Sequence, residues 1–271
     1  MTPSNSDSIP ALPSATIVLV REAESEPEIL MVRRRAGDAF GDSYAFPGGV
    51  VDADESNAHS YCHGLTAERA NEKLSVVSGG LDYYSAAVRE LFEETGILLA
   101  RDPSGNWAFA NESGSASLLR ELRGQLDSGS LPWAELLRTY DLCIACDALR
   151  YFSFWETPVR LPKRWAARFF LAQLPPGQDA EHDGKELIDS CWMTAMEVLA
   201  SGEEGGMKLP FPTVVNLRNI AEHRTVDALL GWASAQAVAG VAKIRPVILN
   251  DKKQVRFLIP GDDDYPEGGD E

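Results

Sequence analysis

Three glutamates, Glu90, Glu93 and Glu94, stand at i, i+3 and i+4 in the run Arg89-Glu90-Leu91-Phe92-Glu93-Glu94-Thr95-Gly96-Ile97. On a helix that spacing puts all three carboxylates on one face. Carboxylates crowded together repel, and a divalent cation among them removes the repulsion. Oxygen-only ligands select a hard ion, Mg²⁺ or Mn²⁺. Gly96 follows as a helix stop. A lone E-x-x-E-E would read equally well as a solvated acidic face, so the surrounding residues decide.

Upstream lies Phe46-Pro47-Gly48-Gly49, followed by Asp52, Asp54 and Glu55. With these residues in front, the chain resembles the Nudix hydrolase family, whose box reads G-x5-E-x7-R-E-U-x-E-E-x-G-U, where U is a bulky aliphatic residue. Gly49 and Glu55 fit its first part, and 89–97 fit its second part at every fixed position. The spacing departs from the pattern: 33 residues, 56–88, stand where the family has seven. The peroxisomal-type coenzyme A diphosphatases and their bacterial relatives carry such an interruption. Trp155-Glu156-Thr157-Pro158, Pro162-Lys163-Arg164, Arg168-Phe169-Phe170-Leu171, Asp183-Gly184-Lys185-Glu186 and Trp192 resemble the same subset.

The resemblance implies a Nudix α/β/α sandwich with a mixed central sheet and extra helices. It also implies hydrolysis of the diphosphate linkage in a nucleotide derivative. The site must neutralise the diphosphate, orient one water and take its proton. By resemblance Glu93 and Glu94 are metal ligands, Glu90 is a ligand or a base, and the Gly48 carbonyl is a further ligand. Arg89 orients the glutamates by bidentate pairing. Relatives often supply a further glutamate from outside the box, as base or outer metal ligand, and Glu186 is the candidate here, with Glu181 and Asp183 as competitors. Glu55 fits the box, but the interruption separates it from the helix it should brace, so Asp52 and Asp82 are alternatives. Arg33, Arg34 and Arg35 close a strand and are candidate contacts to substrate phosphates, with only alternate ones facing the cleft and Arg33 and Arg35 taken first; Arg164 and Arg168 are further candidates, and Lys163 is similar.

Composition narrows the partners. The net charge is −16, and the last eleven residues hold six acids and no base. An acidic body repels nucleic-acid backbones, whereas a metal and a few arginines can reverse the potential inside one cleft. The expected partner is a small nucleotide diphosphate. Homodimerisation comes only from the resemblance, since many relatives dimerise. No apolar run is long enough to span a membrane. The N-terminus lacks the features of a secretory signal and the chain does not end in Ser-Lys-Leu, so the cytoplasm is the expected compartment. Cys143-x-x-Cys146 has no second ligand pair for zinc, and two small, partly buried residues are expected there.

The elements that must position these groups follow from pattern and punctuation. Residues 1–14 read as a disordered tail, 15–260 as the hydrolase domain and 261–271 as an acidic tail. Strands are expected at 15–20, 28–34, 97–100, 150–157, 165–173 and 186–193, with extended chain over 44–51. A hairpin is expected from 244–249 and 255–259. Helices are expected at 66–77, 113–126, 133–140, 195–200, 212–222 and 225–237. The motif helix is expected over 83–95, with Asp82 as its N-cap. Residues 56–80 of the interruption are expected to form a specificity wall or an interface rather than core.

Coenzyme A or an acyl-coenzyme A ranks first as substrate, from the subset resemblance alone. ADP-ribose, a nucleotide sugar or NADH are the alternatives. A non-catalytic Nudix-fold binding module is a competing class, disfavoured because such modules usually lose box glutamates. A diphosphate isomerase would need a catalytic cysteine in the cleft.

Overall fold

β1 (Leu12–Arg21) carries the alternation that divides the molecule into two cores. Ala15, Ile17 and Leu19 pack into one apolar cluster, and Val18 and Val20 into the other. β2 (Glu28–Arg34) repeats the division, with Leu30 and Val32 on the first side and Ile29 and Met31 on the second. Successive side chains on a strand point to opposite faces, so a sheet reading this way is covered on both. The computed structural model describes residues 9–37, 41–110, 114–159, 161–182, 186–251 and 254–266.

β1 runs parallel to β8 (Trp165–Gln173) over nine residues. β8 in turn is antiparallel to β7 (Arg150–Glu156), which takes the short β10 (Lys243–Ile244) in parallel. The other edge of β1 forks: β2 joins near Val20, and β4 (Gly48–Val50) joins at Ser14, Ala15 and Thr16. β2 also pairs with β3 (Tyr44–Ala45) and β9 (Leu187–Thr194). The result is a mixed, eight-stranded sheet among the described residues.

The first cluster is roofed by α1 (Ala67–Leu74), α2 (Gly80–Thr95), α3 (Ser115–Asp127) and α4 (Trp133–Thr139). The second is closed by α5 (Ala195–Glu203), α6 (Phe211–Ile220) and α7 (Val226–Ala239). This is the α/β/α sandwich with a mixed sheet that the family resemblance implies. Two ribbons stand apart from the sheet: β5 (Ala100–Arg101) with β6 (Cys143–Ile144), and β11 (Val247–Asp251) with β12 (Gln254–Leu258). Among the described residues no helix is long and apolar enough to cross a membrane.

Four expectations need correction. α2 starts at Gly80 behind a left-handed Gly79, and Asp82 lies inside its first turn. The Gly80 N–H is met by Asn71 Oδ1 of α1 (2.7 Å), while Asp82 pairs with His59 (2.5 Å). Residues 97–99 are buried but only Ala100 and Arg101 are strand. There the Gln178 amide substitutes for a strand partner: its Oε1 accepts from Leu98 N–H (2.8 Å) and its Nε2 donates to the Leu98 carbonyl (3.1 Å).

The interruption is not a peripheral wall. Glu55–Tyr61 forms a 3-10 helix that pattern reading missed, and Ala58, Ala70 and Leu74 are sealed in the first core cluster. Lastly, the tail boundaries shift. Residues 12–14 are already in β1, and the Ile9 carbonyl accepts from Arg164 Nη1 (2.7 Å). At the other end Tyr265 donates its hydroxyl to the Arg245 carbonyl (2.9 Å). Residues 1–8 and 267–271 lie outside the described residues.

Candidate active site

α2 lies with its glutamate face against β4, and two glycines make that approach feasible. The Gly48 N–H donates to Glu94 Oε2 (2.8 Å). A Cβ on Gly48, whose φ is +151°, would meet the Ala15 carbonyl oxygen at 2.4 Å. A Cβ on Gly49 would meet the Glu90 carboxylate at 2.3 Å. The Gly-Gly pair therefore exists because one residue touches β1 and the other touches the helix.

Arg89 is the hub of the arrangement. Its Nε donates to Glu55 Oε1 (2.7 Å), and its Nη1 to Glu93 Oε2 (2.8 Å), with Glu90 Oε1 3.0 Å away. Its Nη2 reaches the Val50 carbonyl (3.1 Å) and Asp52 Oδ2 (3.1 Å). Glu55 is 2% exposed, and its other oxygen accepts from the Ser85 hydroxyl, which Trp133 Nε1 supports (3.0 Å). Glu55 therefore braces the motif helix despite the interruption, because Arg89 and Ser85, one helix turn before it, both bond to its carboxylate. Asp52 adds to this brace rather than substituting for Glu55, and Asp82 takes no part in it.

The electrostatics are those of a site with too much negative charge. Burial, with Glu94 and Glu93 alongside, pushes the Glu90 carboxyl up to about 8 despite its contact with Arg89. Burial also raises Glu93 and Glu55. Burial opposes the charge on Arg89, but Glu90, Glu55 and Glu93 outweigh it and hold the guanidinium protonated. As the side chains stand, no three Asp, Glu, His or Cys among the described residues gather as an ion-binding group. Glu90 and Glu93 aim at Arg89, and Glu94 aims at Gly48 and Arg34. The donor set is all oxygen, and the carboxylate repulsion is the kind a divalent cation removes, so Glu90, Glu93 and Glu94 fit a hard ion.

The arginine candidates sort differently from expectation. Of the triplet at the end of β2, Arg34 faces the glutamates: its Nη2 lies 2.5 Å from the Gly48 carbonyl and 3.1 Å from Glu94 Oε1. Arg33 turns the other way, onto Asp42 and over the Tyr44 ring, and Arg35 is exposed. A register shift of β2 against β9 falls between Arg33 and Arg34. The signal that could have found Arg34 was its parity with Leu30 and Val32, which face α2.

Arg164 and Arg168 are each 5% exposed and are used structurally. Arg164 ties Glu156 (2.9 Å), the Thr157 carbonyl (3.1 Å) and Ile9 together. Arg168 lies between the rings of Tyr83 (4.3 Å) and Phe154 (4.2 Å) and donates to the Leu74 carbonyl (3.3 Å). Neither is placed to meet a substrate phosphate. Lys163 is exposed beside the Trp165 ring.

Glu186 sits where β9 begins, and its carbonyl accepts from the Arg35 N–H (2.8 Å). Its backbone thus lies one strand position from Arg34. Glu181 is bound to Arg120 (2.9 Å) on the surface, and Asp183 lies outside the described residues. The Glu181 backbone is nonetheless fastened to the end of α2, by its own N–H to the Thr95 carbonyl (2.8 Å) and by Arg123.

The family described as the NUDT19 Nudix domain matches residues 62–220. The acyl-coenzyme A diphosphatase NUDT19 of Xenopus laevis is 24% identical over 284 residues, covering 91% of this chain and 73% of that protein. Its namesake from Gallus gallus is 27% identical over 282 residues, covering 90% and 74%. A NUDIX hydrolase from Alicyclobacillus acidocaldarius shares the fold, with a TM-score of 0.68 at 22% identity over 82% of this chain and 96% of that one. With the box glutamates, their arginine hub and the glycine turn all present, the chain belongs to the Nudix family, in its NUDT19 group, and is a Nudix diphosphate hydrolase.

Proposed function

We propose that the enzyme cleaves the diphosphate of coenzyme A or an acyl-coenzyme A, using Mg²⁺ or Mn²⁺. The observation that carries the site is Arg89, anchored on buried Glu55 and pairing with Glu93 and with Glu90, whose carboxylate lies against Gly49. The substrate class rests on the relatives named acyl-coenzyme A diphosphatases. Water attacks one phosphorus, the bridging P–O bond breaks, and the products are 3′,5′-ADP and the 4′-phosphopantetheine portion.

Glu90, Glu93, Glu94 and the Gly48 carbonyl would hold the ion. Bound there, it neutralises charge on the diphosphate and lowers the pKa of a water. The protein contributes positioning. Arg89 fixes the rotamers of two glutamates, and Glu55 keeps Arg89 from swinging to the substrate. Glu186, whose backbone lies one strand position from Arg34, takes the proton of the attacking water, and Glu90 is the alternative acceptor.

The test is a hydrolysis panel of coenzyme A, dephospho-coenzyme A, ADP-ribose and NADH, with each metal in turn and products identified by mass. Faster turnover of coenzyme A than of the other three is expected. Preference for ADP-ribose or NADH would reassign the substrate and leave the diphosphate chemistry standing.

A further inference from the structure

A single nitrogen, Arg34 Nη2, reaches both the Gly48 carbonyl (2.5 Å) and Glu94 Oε1 (3.1 Å). Both groups belong to the oxygen set proposed to hold the cation, and the role of Arg34 rests on that metal site. A divalent ion held by these same two oxygens would compete with the guanidinium for them. A guanidinium and a divalent ion would also repel at that range. We propose that Arg34 is a resident counter-cation: it holds Gly48 and Glu94 until metal enters, then hands its guanidinium to the substrate diphosphate.

The backbone around Arg34 is fixed. Its N–H donates to the Ser43 carbonyl (3.0 Å), and its own carbonyl accepts from the Asp42 N–H (3.1 Å). The side chain is the part free to move, and it is 21% exposed. Glu55, Glu90, Glu93 and Asp52 all converge on Arg89. A displaced Arg34 therefore finds its best new partner in an incoming diphosphate, whose oxygens match the guanidinium fork. Metal alone must evict Arg34, whereas metal with diphosphate gives it somewhere to go. Metal and diphosphate then tighten each other's binding by one common factor.

The experiment is a Mn²⁺ titration of the full chain followed by electron paramagnetic resonance, with and without α,β-methylene-ADP. The parent should bind Mn²⁺ about tenfold tighter in the presence of the analogue. Arg34→Gln should bind Mn²⁺ alone about tenfold tighter than the parent, with a smaller further gain from the analogue. Arg34→Met, which keeps the aliphatic stem, is the second variant, and circular dichroism checks both folds. Equal Mn²⁺ affinity in the parent and the folded variants overturns the proposal and leaves the metal assignment intact. Absent Mn²⁺ binding in the parent, or binding untouched by Glu94→Gln, overturns the assignment beneath it and the proposal as well.

Discussion

Two charge clusters in this molecule are near mirror images. In one, Arg89 is ringed by Glu55, Glu90, Glu93 and Asp52. In the other, Glu156 is ringed by Arg164, Lys243 and Arg245. Each has one ion of one sign and several of the other. Their consequences differ because of what the surplus charge can do.

Around Glu156 the surplus is positive. Burial raises the Glu156 carboxyl, but hydrogen bonds from Arg245 and Lys243 overcome this and hold it below the usual range. The three cations come from β8's leading edge, β10 and the segment after it, so the cluster fastens the stretch that follows α7 to the sheet. Around Arg89 the surplus is negative, and burial and mutual repulsion push Glu90 up to about 8. One cluster is a completed fastening, and the other is left needing a cation.

If that contrast is right, substitutions should separate function from stability. The largest effect is expected at Glu94. Glu94→Gln keeps shape and removes charge, so turnover should fall by roughly 10³-fold, about 4 kcal/mol in the barrier. Its urea midpoint should stay near that of the parent. Near-normal turnover would remove Glu94 from the ion-binding set. Glu93→Gln should behave alike.

Glu156→Gln should do the reverse. It leaves buried Arg164 without its counter-charge and should cost about 3 kcal/mol of unfolding free energy. The kcat of the folded fraction should match the parent, and a large loss of kcat would mean the two clusters are not functionally separate.

Glu186→Gln should slow turnover by about 10²-fold with little change in KM. Parental kcat in that variant would transfer the base assignment to Glu90. The smallest effect is expected for Glu181→Gln. Its pair with Arg120 is exposed at both ends, so stability should change by less than about 1 kcal/mol. A strong activity loss there would promote Glu181 over Glu186.

Much of this was legible because the informative signals were local. The bounds of β2 and β8 match the pattern reading, since each is an apolar run closed by turn residues. The Arg89–Gly96 run announced its helix and its shared glutamate face. What stayed hidden depended on contacts distant in sequence. Arg164 looks like a free surface cation until Glu156 and the Ile9 carbonyl meet it. Arg168 looks available to phosphate until Tyr83 and Phe154 enclose it. Arg34 could not be chosen over Arg33 and Arg35 without knowing which sheet face α2 covers. The burial of Ala58, Ala70 and Leu74 in the core was invisible in a segment that reads as polar and interrupted.

The contact between Glu55 and Arg89 also makes the interruption a closed ring in the polymer sense. Its two ends are clasped 2.7 Å apart, whatever the chain between them does. Ring-closure entropy grows only with the logarithm of length. Going from the family's seven residues to the 33 here adds roughly 1.4 kcal/mol, less than burying one leucine side chain can return. A motif clasped in this way can lengthen its spacer greatly, provided the added chain supplies a few buried apolar residues, as Leu74 does here.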